Sequence, residues 1–167
     1  MNNNIFANKR KNINIEDCYF YHTMDLPGYG VVKGEWDLSN NLRNYLGNYN
    51  FKNKTVFDVG CASGYLSFEI ENMGTEKVVA YDLSSKENWD IIPHYNIDLE
   101  SYILNRKNHI NKINNGFWLA HKAYNSHVEM SYGSIYDIEE GIGQFDVAIL
   151  GSILLHLRDP FYALQSV

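Results

Sequence analysis

The sequence predicts an α/β domain with a mostly parallel sheet, and two stretches of the chain carry this prediction. Residues 55–59 are mainly apolar and β-prone, and they lead through a turn of small residues at 60–64 into apolar residues at helical spacing. A second β-prone run follows at 77–82, after a glycine suited to end the helix. Strands that alternate with helices are typical of parallel sheets covered on both faces.

The composition indicates one globular domain in a reducing compartment. The 167 residues are 45% hydrophobic and 14% aromatic, which excludes a disordered chain. The net charge of −6 argues against a broad basic surface for nucleic acid, and two cysteines are too few for a disulfide framework. No apolar run reaches membrane-spanning length, and residues 1–14 lack the apolar segment of a signal peptide. We therefore expect a cytoplasmic protein without a membrane partner.

Three segments are expected along the chain: a flexible tail at 1–16, a cap segment at 17–50 and the core at 51–167. The tail is rich in Asn and Lys and lacks periodicity. The cap segment holds many aromatic residues around a Pro-Gly turn signal, and it either lies over a ligand crevice or covers one sheet edge. Apolar residues at helical spacing predict an amphipathic helix over 37–46, near the end of this segment.

The turn after the first core strand has the pattern of a ligand-binding loop. Gly60 and Gly64 permit a tight turn and a close approach of the backbone to a ligand. With Asp58 they form D-x-G-x-x-x-G, whereas the dinucleotide fingerprint G-x-G-x-x-G is broken at Ala62 and Tyr65. Free backbone N–H groups at such a turn lie where open α/β sheets bind nucleotides.

A second acidic residue, Asp82, ends the next predicted strand. It follows the glycine turn by about 20 residues, the spacing at which an acidic side chain hydrogen-bonds the ribose of an adenosyl group. A strand-end aspartate alone is more often a helix cap, but the spacing favours ribose.

The connection at 83–126 is too long for a simple crossover. We expect an ordered loop over 89–93, followed by a helix whose apolar residues recur from Ile110 to His121. The basic residues along it are interpreted as a solvated helix face; they are Arg106, Lys107, His109 and Lys112.

Two further strands are predicted at 127–132 and 145–150. After the second, Asp159 and Pro160 predict the start of a helix by N-cap and N1 chemistry. His156 lies between the strand at 145–150 and this helix start, and its imidazole makes it a candidate base. A lone histidine beside leucines is, however, more often a satisfied core residue.

The pattern at the glycine turn resembles motif I of the class I S-adenosylmethionine (SAM) methyltransferases, [DE]-x-G-x-G-x-G, with Ala62 in place of the middle glycine. The sequence segments YHTMDLPG, GEWD and LLHLRDP resemble those of a subgroup that includes the tRNA wobble-uridine carboxymethyltransferases and related small-molecule methyltransferases. This resemblance covers residues 19–167.

The resemblance implies a Rossmann-like class I methyltransferase fold with the strand order 3-2-1-4-5-7-6. The chain is then expected to be truncated after the fourth core strand, which leaves residues 145–150 at an open sheet edge. An open edge favours self-association or a covering chain.

The resemblance also implies roles for individual residues. Tyr21, His22 and Trp36 would close the site as a cap, and His156 or His22 would accept or guide a proton of the acceptor. Asp82 would hold the ribose of SAM, with S-adenosylhomocysteine as the product, and no metal is expected. The implied cofactor-binding residues are Asp58, Gly60, Cys61, Ala62, Gly64, Tyr65, Asp82, Leu83, Ser134, Ile135 and Gly151.

The expected function is transfer of a methyl group from SAM to an oxygen or nitrogen of a small-molecule or sugar acceptor. A tRNA acceptor is less favoured because the chain is acidic, and Glu35 stands where the carboxymethyl variant would need a cation, which favours ordinary SAM. Three alternatives stay open: a SAM-binding module without turnover, a nicotinamide-dependent oxidoreductase, which Tyr65 disfavours, and an assembly protein that uses the open sheet edge.

Overall fold

A parallel sheet of four strands forms the centre of the fold. The computed structural model describes residues 5–85, 89–90 and 98–167; the predicted loop residues 91–93 lie outside these ranges. The strands are β3 (Thr55–Val59), β4 (Lys77–Asp82), β5 (Glu129–Tyr132) and β6 (Val147–Ile149), in the order β5-β4-β3-β6. Every pairing in this sheet is parallel. The predicted α/β Rossmann-like fold is confirmed, with β3 central as the first core strand.

Four helices accompany the sheet: the second and third lie between core strands, as the alternating pattern predicts, while the first precedes the first core strand and the fourth follows the last. They are α1 (Leu42–Tyr45), α2 (Tyr65–Asn72), α3 (Leu99–Ala123) and α4 (Pro160–Ser166). Short 3-10 turns occur at Ile15–Asp17, Glu140–Ile142 and Leu154–His156. The predicted cap of α4 is confirmed, because the Asp159 carboxylate accepts a hydrogen bond from the Tyr162 N–H at 2.9 Å and Pro160 is the first helical residue. No helix within the described ranges has the length and apolarity needed to cross a membrane.

Two apolar clusters cover the two faces of the sheet. Successive strand residues point to opposite faces, so Val56 and Val78 belong to one cluster while Phe57 and Val79 belong to the other. Helices α2 and α3 pack in the first cluster, and Ala163 of α4 packs in the second. A sheet buried on both faces explains why its strands read as nearly continuous apolar runs.

The N-terminal residues pack against the edge of the sheet. Phe6 forms an antiparallel bridge with Ser131 of β5, and the Ala7 N–H donates to the Met130 carbonyl at 2.7 Å. β5 is one of the two edge strands of this sheet, and backbone groups on its outer side gain partners from this segment. The prediction of a flexible tail is therefore wrong for residues 5–16, and residues 1–4 lie outside the described ranges.

The cap segment contains a hairpin whose turn includes the predicted Pro-Gly signal. β1 (Met24–Leu26) pairs antiparallel with β2 (Gly30–Val32). Met24 and Leu26 are fully buried in the first apolar cluster, which anchors the hairpin on the core. The helix predicted over 37–46 is limited to α1, because the Asp37 carboxylate accepts from the Ser39 N–H and holds the preceding residues in a turn.

Candidate active site

A cleft of about 1010 Å³ opens where the core strands end. Ligands of open α/β sheets bind at this edge, and the segments that follow all four core strands line the cleft here. These segments are 59–62, 81–83, 133–136 and 151–153. One side of α3 and part of the cap segment form the remaining walls.

The glycine turn has the backbone conformation that its sequence predicts. Gly60 and Gly64 lie at φ of +77° and +85°, the left-handed region that favours glycine. A Cβ at Gly60 would lie 2.5 Å from the Cδ1 of Ile153, so the turn leaves no room for a side chain there. Ala62 also has a positive φ, +50°, at the position of the motif's middle glycine. The departure from the motif thus keeps the turn but strains one residue.

Asp82 connects the end of β4 to this turn. One carboxylate oxygen accepts from the Ala62 N–H at 2.7 Å, and the other accepts from the Leu83 N–H at 2.7 Å. Burial raises the pKa of Asp82, while these two hydrogen bonds oppose the rise. The carboxyl group also lines the cleft, so it can meet a ligand that lies on the turn.

Asp58, the acid of the motif, lies behind the turn and does not line the cleft. Its side chain is fully buried and accepts a hydrogen bond from the Ser67 hydroxyl of α2 at 2.6 Å. Burial raises the pKa of Asp58 to about 6, and the negative charge of Asp82 adds to the rise. In this structure Asp58 joins β3 to α2 rather than facing a ligand.

The structure brings most of the predicted site residues to the cleft and leaves others outside it. Those that line the cleft are Tyr21, His22, Gly60, Cys61, Ala62, Asp82, Leu83, Ser134, Ile135, Gly151 and His156. Those that do not are Trp36, Asp58, Gly64 and Tyr65. Gly64 instead gives close packing against Phe117, and the Trp36 side chain is 57% exposed. Cys61 is buried and its thiol is free.

The cap segment contributes a half-buried histidine, His22, to the cleft wall. The Tyr21 N–H donates to the Ser63 hydroxyl at 3.1 Å, which attaches this segment to the glycine turn. The His22 ring stacks on Tyr65 with centroids 5.3 Å apart. Its Nδ1 is buried and has no hydrogen-bond partner among the described residues. Burial lowers the pKa of His22 to about 4, so its imidazole is neutral at pH 7.

Helix α3 supplies cleft residues that the sequence analysis assigns to a solvated face. The Arg106 guanidinium lies 5.0 Å from the ring centroids of both Trp89 and Tyr102, and it lines the cleft together with His109. The solvated-face prediction is therefore wrong for Arg106 and His109. Arg106 lies four residues before Ile110 and His109 lies four residues before Ile113, so both continue the apolar face of α3, and this continuity was the available signal.

Glu35 also lines the cleft and accepts a hydrogen bond from the Tyr19 hydroxyl. The carboxylate that the sequence analysis noted in GEWD is thus present in the cleft wall.

Asp90 joins three loops at another wall of the cleft. Its carboxylate accepts from the Tyr136 hydroxyl at 2.5 Å and from the Arg158 N–H at 2.7 Å. These contacts tie the segment after β4 to the segments after β5 and β6. Asp90 lies in the described part of a long connection, and its partners are distant in sequence, so no local pattern predicts the contact.

The residues around the turn fit SAM, which carries a sulfonium, an ammonium and hydroxyl groups but no phosphate. Residues 60–62 line the cleft, the carboxyl group of Asp82 lies beside them, and the buried carboxyl group of Asp58 lies behind them. A phosphate at this position would be repelled by Asp82 and Asp58, whereas cations and hydroxyl donors would not.

The first half of the core matches a known family. Residues 42–88 match the family model described as ribosomal protein L11 methyltransferase (PrmA). The matched range begins at the first residue of α1 and contains β3, the glycine turn, α2 and β4 with Asp82. It thus covers the elements that the geometry assigns to the cofactor side of the cleft. The match covers less than half of the chain, and together with the sheet order and the glycine turn it supports a class I SAM-dependent methyltransferase.

Proposed function

We propose that the chain transfers the methyl group of SAM to an oxygen or nitrogen of a small-molecule or sugar acceptor. The observation that carries this proposal is that the Asp82 carboxyl, the glycine turn and the neutral, half-buried His22 line one cleft. When bound, SAM supplies an electrophilic methyl group on its sulfonium. The protein's contribution is then to position the acceptor and exclude water.

On the cofactor side, Asp82 binds the ribose and residues 60–62 bind the methionine portion through bare backbone. Ser134 and Ile135 hold the adenine edge, since they follow β5 and line the same cleft. Glu35 in the cleft wall supports ordinary SAM, because a carboxylate there would repel the extra carboxylate of the carboxymethyl variant. Residues 17–50 act as a cap over this site, and Tyr21 is attached to the turn through Ser63.

His22 accepts or guides the proton of the acceptor. Its buried Nδ1 lacks a partner among the described residues, so it can accept a hydrogen bond from an acceptor hydroxyl or amine. The low pKa of His22 keeps the imidazole in the neutral form that this role needs. His156 also lines the cleft, but it is exposed and is the second candidate for the same step.

The size of the cleft supports a small acceptor. A volume of about 1010 Å³ has room for a nucleoside-sized cofactor together with a small molecule. The description of the matched family names a ribosomal protein. The matched range, however, ends at residue 88 and does not include His22 or His156. The match therefore supports the cofactor half of the site and says nothing of the acceptor. The acidic, cysteine-poor composition supports a cytoplasmic location.

The proposal is tested by methyl transfer from SAM with a labelled methyl group. Pooled sugars and small alcohols and amines form one arm, and tRNA and ribosomal protein form two others. We expect label in a small-molecule product. The rate of this transfer should fall by about 100-fold or more in His22→Ala. The exposed His127 lies outside the cleft, so His127→Ala should keep the rate. Label only in tRNA or only in protein would overturn the acceptor class, and binding of SAM without transfer in any arm would indicate a non-catalytic module.

A further inference from the structure

A buried asparagine faces the cleft with half of its amide unpaired. Asn114 of α3 is fully buried, yet it belongs to the cleft lining. Its Nδ2 donates to the Leu83 carbonyl at 3.1 Å. Its Oδ1 is buried and has no hydrogen-bond partner in the described part of the chain. A buried amide oxygen without a partner lowers the stability of the protein, so such an atom at a cleft indicates a missing partner.

The orientation of this amide is fixed by its surroundings. The Leu83 oxygen is a carbonyl and can only accept, so the amide nitrogen must face it. A flipped side chain would place two acceptors against each other and leave the nitrogen without its partner. The Oδ1 is therefore directed away from Leu83 and is available as an acceptor.

We infer that Asn114 is a cofactor-binding residue whose Oδ1 accepts a hydrogen bond from a ribose hydroxyl of the adenosyl group. This inference rests on the proposed SAM site. It follows from position, because Leu83 is the residue directly after Asp82, and Asn114 is fixed to Leu83. The ribose presents two neighbouring hydroxyl donors, and Asp82 and Asn114 together present two acceptors.

The hydrogen bonds of Asp82 explain why a second acceptor is useful. Each of its carboxylate oxygens already accepts a backbone N–H, from Ala62 and from Leu83. Asp82 therefore has a structural task in addition to ligand binding. An amide oxygen from α3 can take one hydroxyl without disturbing the contacts that hold the turn.

The test measures the dissociation constants of S-adenosylhomocysteine and 5′-methylthioadenosine by calorimetry. The second ligand keeps the ribose and adenine but lacks the amino-acid portion. Asn114→Leu should weaken the binding of both ligands by a similar factor of about tenfold. Asn111→Leu is the matched control, since Asn111 is exposed on the same helix and bonds to Arg10 outside the cleft. Asn114→Ala, which is a good helix former, gives the same comparison if the leucine variant does not fold.

Ligands that lack one hydroxyl separate direct contact from a structural role. Of the 2′-deoxy and 3′-deoxy forms of 5′-methylthioadenosine, one should bind wild type and the Asn114 variant equally, because the bond to Asn114 is already absent. Equal sensitivity of both forms to the substitution would overturn the inference. So would an unchanged affinity in the variant, or a loss confined to S-adenosylhomocysteine, which would assign Asn114 to the amino-acid end. If wild type binds neither parent ligand, the proposed function itself is refuted.

Discussion

The carboxylate of Asp82 accepts a hydrogen bond from the backbone N–H of Ala62 at 2.7 Å, across the cleft edge of two neighbouring strands. The same residue therefore holds the turn in shape and presents its carboxyl group to the cleft. Ala62 needs such support, because its φ of +50° is unfavourable for a residue with a Cβ. Turn geometry and ligand binding are thus coupled through one side chain.

The strain at Ala62 predicts opposite effects for two small substitutions in the turn. Ala62→Gly relieves the positive φ and should be neutral or stabilise the protein by up to about 1 kcal/mol, because the gain is offset by the greater entropy of an unfolded glycine. Gly60→Ala should destabilise by about 1–3 kcal/mol, since its Cβ would meet Ile153. Urea denaturation measures both. A destabilised Ala62→Gly or an unaffected Gly60→Ala would show that the turn conformation is wrong.

The buried carboxyl of Asp58 predicts a pH-dependent stability. Burial raises its pKa from 3.8 to about 6, so the folded state binds a proton at Asp58 more tightly than the unfolded chain does. Its stabilising contribution is complete below pH 3.8 and is lost as the pH rises through about 6. Asp58→Asn stays neutral and can still accept from Ser67. Relative to wild type, this variant should gain stability between pH 4 and pH 7, by at most about 3 kcal/mol.

Urea denaturation at a series of pH values measures this difference. Asp25→Asn is the control for the chemistry of the substitution, because Asp25 is exposed in the hairpin. A difference between Asp58→Asn and wild type that does not change with pH would contradict the assignment of a raised pKa.

The half-buried imidazole of His22 should titrate well below the ordinary pH range of a histidine. Because burial lowers its pKa to about 4, the unfolded chain takes up a proton at His22 before the folded chain does. Stability from this residue is therefore present at neutral pH and is lost as the pH falls from about 6.5 towards 4. In NMR spectra, the His22 ring signals should keep the shifts of the neutral form from pH 8 down to pH 5. A midpoint near 6.5 would show that the ring is solvated.

The core of the fold was largely predictable from sequence because its signals are local. The residues of β4 read as a short apolar run that ends at Asp82, and the structure has the same bounds, Lys77–Asp82. The helix start at Asp159 was likewise predictable, since an N-cap acts on an N–H only three residues away. The glycine turn was predictable for a similar reason, because an apolar run leads directly into glycines that tolerate a positive φ.

Features that depend on distant contacts were not predictable in the same way. The bridge between Phe6 and Ser131 turns a polar, aperiodic segment into part of the sheet edge. The hairpin from Met24 is stabilised by burial on the core, which no local propensity reports. The role of Asn114 was also missed, because its significance lies in an unpaired atom that only the packed structure shows.

The most direct test of the central claim is calorimetric titration of SAM and S-adenosylhomocysteine into wild type, Asp82→Ala and Asp25→Ala. Asp25 is an exposed aspartate in the hairpin, so its variant matches the chemistry of the change without touching the cleft. We predict binding to wild type and Asp25→Ala, with a loss of about tenfold or more in Asp82→Ala, where the acceptor for ribose and the support of the turn are both removed. Thermal unfolding confirms that each variant is folded. A folded, monodisperse wild type that binds neither ligand, or an Asp82→Ala variant that binds as tightly as wild type, would contradict the account.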